Sequence, residues 1–317
     1  MANIAITSYC NLNCPYCFTQ DTYHHSGIYG HMPANVFKQS LDLILRSGLN
    51  EISILGGEPT LHPGFIDFME IALKTGLKIR LFTNGHFSQR ILEYLSELPV
   101  KKVRIILNVN FISKHKHEVP SVIDKAFSQL NNRIIPGFNI YEKDLSLLPL
   151  LDLIKHYNLK KNVRLGLAQP CLDAGNQYLP VKHYSLTGRK ILDFAKKAKE
   201  QGVKIILDCG FVPCMFGPVD LSEYGLDPEA GLHCDPIPDI LPDGSMVPCY
   251  PLSHLNKNQV NDGLTLNDIR RNMQEVHLQM TSMGIFKICS FCQYRQKGYC
   301  KGGCTSHKIL RLNAINL

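Results

Sequence analysis

A chain of 317 residues, 44% apolar and 19% charged, has the size and composition of a globular protein with a full core, not of a small scaffold that needs covalent staples. No apolar run approaches the roughly 18 residues of a membrane span, and Met1–Tyr9 has neither the basic start nor the apolar stretch of a secretion signal, so a cytoplasmic protein without membrane partners is expected. The 34 basic and 27 acidic side chains leave a formal charge of +7, and the chain carries twelve cysteines.

Asn3–Ser8 reads as a strand, and Pro33–Arg46 as a helix, with Val36, Phe37, Leu41, Ile44 and Leu45 at helical spacing and Gly48 as its stop. Strand Glu51–Leu55, helix Phe65–Lys74, strand Leu77–Phe82, helix Phe87–Leu95 and strand Val103–Val109 continue the alternation. Helix Val122–Leu130, strand Arg133–Ile140, helix Leu147–His156, strand Val163–Ala168, helix Leu186–Glu200 and strand Val203–Asp208 follow. This order predicts an α/β fold with a parallel sheet of six or seven strands, a partial (β/α)6-type TIM barrel over residues 1–208, with its chemistry at the C-terminal strand ends. From Cys209 onward Gly and Pro rise, periodicity fades except over Leu266–Met280, and eight cysteines fall before residue 305. Residues 209–317 are therefore expected to form a small cysteine-rich domain organised around metal rather than around a core.

Thiols in a reducing compartment do not accumulate as disulfides, so twelve of them point to metal ligation or redox chemistry. Cys10, Cys14 and Cys17 form C-x3-C-x2-C directly after the first strand. Three thiolates on one loop can hold three corners of a cubane iron–sulfur cluster and leave one iron open to a substrate or cofactor. Zinc competes, with His24 or His25 as a fourth donor. The positive charge is concentrated in residues 101–200, which hold 18 basic and 8 acidic side chains, around Lys101, Lys102, Lys114, Lys116, Lys160, Lys161 and Lys190–Lys199. The first reading of these lysines is a set of solvated helix faces, and the second is a surface attractive to an acidic peptide or anionic substrate. No basic helix is interleaved with aromatics, which argues against nucleic acid.

The segment Cys10-Asn11-Leu12-Asn13-Cys14-Pro15-Tyr16-Cys17, followed after the second strand by Gly56-Gly57-Glu58-Pro59 and after the third by Thr83-Asn84-Gly85, resembles the radical S-adenosylmethionine (SAM) superfamily over roughly residues 1–208. The resemblance implies a [4Fe–4S] cluster on Cys10, Cys14 and Cys17 whose open iron chelates SAM. It implies SAM contacts from Tyr16, Gly56, Gly57, Glu58, Pro59, Asn84 and Asn139, the glycines because they permit close backbone approach and Glu58 because it can accept from an ammonium. It also implies one-electron reduction of SAM to a 5′-deoxyadenosyl radical that abstracts a hydrogen atom, with a flavodoxin- or ferredoxin-type electron donor.

Cys234 and Cys249 read C-x9-G-x4-C around Gly244, and Cys289, Cys292, Cys300 and Cys304 read C-x2-C-x7-C-x3-C. Together they resemble the SPASM extension, which binds auxiliary iron–sulfur clusters, with two departures: a seven-residue spacer in place of five, and no cysteine after Cys304. The resemblance implies one or two auxiliary [4Fe–4S] clusters, the first on Cys234, Cys249 and Cys304 completed by Cys214 or Cys209, the second on Cys289, Cys292 and Cys300 with an open iron or a borrowed ligand. A zinc ribbon on the same cysteines competes. Cys171, Cys209 and Cys214 are candidate hydrogen-atom donors to a substrate radical, against plain readings as cluster ligands or, for Cys171, a small buried residue. The expected function is modification of a ribosomally made peptide by epimerisation, cross-linking or oxidation, any leader sequence being held by a separate protein or by the basic middle third. Dehydrogenation of a sugar- or aminocyclitol-like metabolite is the alternative, and a zinc-binding scaffold is the alternative from another class.

Overall fold

The computed structural model describes residues 2–19, 22–23, 27–113, 119–171, 175–227, 232, 234, 237–253, 257–260, 263–281 and 283–315. Seven strands run parallel in chain order: β1 (Ala2–Ala5), β2 (Glu51–Leu55), β3 (Lys78–Thr83), β4 (Val103–Asn108), β5 (Ile134–Ile140), β6 (Asn162–Leu167) and β7 (Lys204–Leu207). A helix separates each pair: α1 (Ala34–Arg46), α2 (Phe65–Lys74), α3 (Gln89–Glu97), α4 (Ser121–Leu130), α5 (Pro149–His156) and α6 (Tyr184–Glu200). These are six βα units and a closing strand, the architecture the alternation predicted.

Local chemistry explains where the elements begin. The Ser88 hydroxyl accepts from the Ile91 N–H and caps α3, so the helix begins two residues after Phe87. Pro149 occupies the first turn of α5, where its missing N–H has no intrahelical partner to lose. In α6 the buried stripe Tyr184, Thr187, Gly188, Ile191, Leu192, Ala195 and Ala198 recurs every three to four residues and seats the helix on the sheet.

After β7 the chain returns to the other side of β1. Strand β8 (Asp239–Ile240) pairs parallel with β1, and β9 (Ser245–Val247) and β10 (Asn258–Gln259) extend the sheet antiparallel, giving ten strands in the order β10-β9-β8-β1-β2-β3-β4-β5-β6-β7. Helix α7 (Leu266–Thr281) lies where the apolar spacing placed it. It opens on a reciprocal cap, in which Asp268 accepts from the Thr265 N–H and hydroxyl while the Asp268 N–H donates to Thr265 Oγ1. Two short helices follow, α8 (Gln293–Gln296) and α9 (Thr305–Ile315). Ile240, Met246, Leu266, Ile269 and Ile285 join the barrel residues in one apolar cluster, and Leu241, Val247 and Tyr250 pack with Ala5, Tyr23 and Ile28 in another. The expectation of a C-terminal region without a core is corrected here, because its apolar side chains close over the barrel's own.

The lysines of the middle third are exposed at Lys101, Lys102, Lys160, Lys161, Lys196, Lys197 and Lys199. The first four immediately precede β4 and β6, at the end of the parallel sheet opposite the cysteine-bearing strand ends, so they form solvated faces and not a rim around the site. Lys114 and Lys116 lie outside the described residues, as do His24 and His25. Among the described residues no helix is long and apolar enough to cross a membrane.

Candidate active site at the C-terminal strand ends

Beyond β1 the chain stays extended to Tyr9 by changing partners. Ile6 N–H donates to Leu55 O, Met32 N–H to Ile6 O and Ser8 N–H to Gly30 O, while Gly57 N–H reaches Thr7 O at 2.8 Å and Glu58 N–H reaches Tyr9 O at 2.7 Å. The approach to Cys10 is thus clamped between residues 30–32 and 55–58. The fit leaves no room for side chains on Gly56 and Gly57, since a Cβ would fall 2.4 Å from Thr7 O and 2.2 Å from Tyr9 O respectively. Gly56 also has φ +149°, open to glycine alone.

Glu58 is fully buried at the centre of this clamp. One carboxylate oxygen accepts from the Thr60 N–H, the Thr60 hydroxyl (2.6 Å) and the Thr83 hydroxyl (2.8 Å), and the other from the Asn84 N–H (2.7 Å). Burial raises its pKa, and these four donors oppose the rise. Glu58 thereby ties β2, β3 and the turn at Pro59 together from within. The Asn84 side chain crosses to the cysteine loop, donating to Asn11 Oδ1 at 2.7 Å and lying 3.8 Å from Cys10 Sγ, while its own oxygen accepts from the His86 N–H.

The three thiols of the loop sit within one another's electrostatic reach. Burial raises the pKa of Cys10 and of Cys14, and neighbouring thiols of the same loop add to it. Cys17 N–H donates to Cys14 O, and Cys17 Sγ is 2.9 Å from Thr19 Oγ1. Tyr16 stacks on Tyr141 with ring centroids 5.0 Å apart. Its hydroxyl, pushed up by burial, hydrogen-bonds toward Cys14 and Asn139. Asn139 lies near the end of β5 in a barrel-floor network. Asn110 and Asn108 hold its backbone and amide, Arg164 donates to its oxygen at 2.9 Å, and Arg164 also grips Asp208. Burial acts to raise the Asp208 carboxyl, but the Arg164 guanidinium prevails and holds it below the usual range. Asp208 Oδ1 in turn accepts from the Cys209 N–H at 2.9 Å.

The remaining cysteines divide by their surroundings. Cys209 opens onto the mouth yet is desolvated by the protein around it, which pushes its thiol well up, with Asp208, Cys304 and Cys234 adding to the effect. Cys249 is pushed up by burial and then by Cys304, Cys234, Asp239 and Cys209. Cys234 and Cys304 face the start of α9, at 3.6 Å from Thr305 Oγ1 and 3.3 Å from Ser306 Oγ. Cys214 lies in another environment, in a short 3-10 turn (Pro213–Met215), and lines one cavity with Cys289, Cys292 and Cys300. Its thiol is pushed up to about 11 by desolvation and then by those three cysteines. Cys171 stands apart from both groups. It is buried beyond β6, with its N–H on Asn176 Oδ1 and its sulfur 3.5 Å from Thr22 Oγ1. Among the described residues, no three His, Cys, Asp or Glu side chains surround a common position for a single ion.

Residues 4–123 match the family model of the Radical SAM superfamily. The chain carries a radical SAM domain. Such a domain takes SAM and a [4Fe–4S] cluster, and the three-thiol loop with its glycine clamp fits both. The chain is 24% identical over 140 residues to GTP 3′,8-cyclase of Campylobacter fetus, a match over 43% of this chain and 44% of that protein, so the chain spans under half the length of this curated relative. By fold, 95% of the chain aligns with 72% of Streptococcus suis SuiB bound to S-adenosylmethionine, at TM-score 0.68 and 16% identity. It aligns over 96% of its length with 88% of anSMEcpe bound to AdoMet and the Kp18Cys peptide, at TM-score 0.65 and 19% identity. At these identities the likeness is one of fold, and it extends past the radical SAM domain through the cysteine-rich region.

Most of the side chains that lock the site together were not singled out from sequence. Tyr141, Asn108, Asn110 and Arg164 act through partners on other strands, while Asn11 and Thr83 stood in the motifs without a role of their own. The signal available was position, since Asn108 ends β4 and Asn110 and Tyr141 follow β4 and β5, where a parallel sheet places its chemistry.

Proposed function

We propose that this chain is a radical SAM enzyme that abstracts a hydrogen atom from a residue of a ribosomally made peptide, with residues 1–208 as the SAM-binding barrel and residues 209–317 as an auxiliary-cluster region. The observation that carries the reading is the Cys10–Cys17 loop fixed at the end of β1 by the close approach of Gly56 and Gly57 and by Asn84, inside a radical SAM domain. When bound, the cluster and SAM supply a reducing electron and a 5′-deoxyadenosyl radical. The chain's own residues hold and orient: Cys10, Cys14 and Cys17 ligate, the bare backbone at Gly56 and Gly57 packs directly on Thr7 and Tyr9 and fixes the approach to the loop, and Asn84 sets the loop's position. Tyr16, braced on Tyr141 and Asn139, forms the wall on the adenine side. Glu58 acts from within, with its carboxylate on protein donors, rather than on the methionyl ammonium.

The peptide reading draws on the fold neighbours that span nearly the whole chain, since SuiB is also known bound to its precursor peptide SuiA and anSMEcpe bound to the Kp18Cys peptide. With Lys101, Lys102, Lys160 and Lys161 at the far end of the sheet, a leader sequence is assigned to a separate binding protein, and the reducing electron to a flavodoxin or ferredoxin. Cys209 and Cys214 belong to the auxiliary ligands, and hydrogen-atom return is assigned to Cys171, a thiol outside both groups.

The test is anaerobic reconstitution with iron and sulfide, followed by an assay for dithionite-dependent cleavage of SAM to 5′-deoxyadenosine. Cleavage is expected and is expected to vanish in Cys14→Ala. Absence of both cluster absorbance and cleavage would end the enzyme reading and favour the zinc scaffold. Cleavage stimulated by small polar metabolites but by no peptide would replace peptide modification with metabolite dehydrogenation.

A further inference from the structure

Cys289, Cys292 and Cys300 stand at C-x2-C-x7-C, three thiols from one short stretch of the chain. In the fold these three line a cavity whose fourth sulfur comes from the barrel side, Cys214, about 75 residues earlier in the chain. Val212, Ile285 and Phe286 lie beside the thiols with Tyr294 and Arg295, the Arg295 guanidinium donates to Cys289 O at 3.2 Å, and Gly302 N–H donates to Cys300 Sγ at 3.2 Å. Backbone donors to a sulfur favour its thiolate over its thiol, as a ligand requires.

The turn that presents Cys214 is held by α6. A Cβ on Gly188 would lie 2.0 Å from Met215 O and 2.5 Å from Met215 C, so this helix glycine lets the backbone of the turn rest directly on the helix. Cys209, five residues earlier, is directed elsewhere. Its N–H donates to Asp208 Oδ1 at the end of β7, it is not among the residues that line the cavity, and it lies within electrostatic reach of Cys234, Cys249 and Cys304.

We propose that Cys214 is the fourth protein ligand of the second auxiliary centre, with Cys289, Cys292 and Cys300, and that Cys209 completes the first with Cys234, Cys249 and Cys304. This rests on the auxiliary-cluster reading above. Cys214 supplies the fourth thiolate from the barrel side, and the five residues from Cys209 to Cys214 tether both centres to the barrel. Each centre then has four thiolates and no iron left open for substrate, which confines direct ligand binding to the first loop.

The experiment uses the full-length chain in two backgrounds, both carrying Cys10→Ala, Cys14→Ala and Cys17→Ala. In one, Cys234, Cys249 and Cys304 are also alanine, and in the other Cys289, Cys292 and Cys300 are. Iron and sulfide content and the reduced electron paramagnetic resonance spectrum are measured after anaerobic reconstitution. Each background is expected to retain about four irons, the complement of one cubane. Cys214→Ala is expected to drop the first background to about three irons or fewer with a changed spectrum, and to leave the second unaltered. Cys209→Ala is expected to do the reverse, so each retained centre reports that the variant chain has folded. Gly188→Ala, which alters no cysteine, is expected to reduce iron in the first background alone. Full iron in the first background with Cys214→Ala, or loss there with Cys209→Ala, overturns the partition. Zinc in both backgrounds with no iron overturns the auxiliary-cluster reading itself and the proposal with it, an outcome distinct from a wrong partition.

Discussion

Replacing Gly57 by alanine tests the clamp on the cysteine loop with a single added carbon. Gly57 is not at positive φ, so its backbone conformation suits alanine and only the collision is at issue. The new methyl would sit 2.2 Å from Tyr9 O, 2.5 Å from Tyr9 C and 2.8 Å from Ser8 O, all backbone atoms that no rotamer change can move. Restoring ordinary contact requires the two segments to part by about 1 Å, enough to break the bonds from Gly57 N–H to Thr7 O and from Glu58 N–H to Tyr9 O. Two lost hydrogen bonds at about 1 kcal/mol each, with partial strain for whatever does not relax, give about 2–4 kcal/mol. With an unfolding entropy of roughly 2.1 cal/mol/K per residue, that is a fall in Tm of about 3–6 °C. Scanning calorimetry on the reconstituted protein reads the fall, and iron analysis reads the expected weakening of the Cys10–Cys17 centre. Gly57→Ala with an unchanged Tm and full iron would show that the clamp yields without cost, and the argument from close approach would be wrong.

Glu58→Gln places an amide nitrogen where the carboxylate accepts from Thr83 or Asn84, leaving a buried donor facing a donor. A loss of about 1–3 kcal/mol is expected, read by denaturant titration, and an unchanged midpoint would refute the inward role of Glu58. Burial raises the Asp239 carboxyl to about 7, against the bonds from Asn3 and the Tyr250 N–H. Because the folded chain keeps this proton after the unfolded chain has released it, the group's contribution to stability falls as pH rises from the ordinary carboxyl range to about 7 and is flat above. Asp239→Asn is expected to flatten that slope in melts taken from pH 5 to pH 8, and an identical slope would remove Asp239 as its cause. Cys171→Ala is expected to keep the full iron content and SAM cleavage while abolishing incorporation of solvent hydrogen into product, measured by mass spectrometry in D2O. Iron loss in that variant would return Cys171 to the ligands.

Helices of the barrel were readable from sequence to within about three residues at each end, because α1, α2, α4 and α6 each bury one apolar stripe and their periodicity is a property of the segment alone. Strand β1 was read as running to Ser8 and ends at Ala5, because beyond that point residues 30–32 take the place of β8 beside it while residues 55–58 continue on the other side, a contact no local pattern encodes. Strands β8 and β10 have two residues each, too few for alternation to register, and α9 follows a glycine- and cysteine-rich stretch that masks its start. The loop thiols and the glycine clamp were legible because their spacing is local. The bonds Asn84–Asn11, Tyr16–Tyr141 and Arg164–Asp208 depend on which strands are neighbours, and they entered only with the fold. The cavity that Cys214 shares with Cys289, Cys292 and Cys300 likewise entered only with the fold.

The pairing of β1 with β8 sets an order of events for the growing chain. Asn3 lies beside Asp239, so the strand that leads into the cysteine loop waits for a neighbour made 236 residues later. At a synthesis rate of roughly 5–20 residues per second, that interval is on the order of 10–50 s. During it β1 is an unpaired edge and the loop thiols are open to oxidation or to stray metal. On the proposed function, productive loading of Cys10, Cys14 and Cys17 therefore belongs late, after the distant strand has docked. Truncations that stop short of Asp239 should yield chains whose first loop is present in sequence and incompetent to keep its iron.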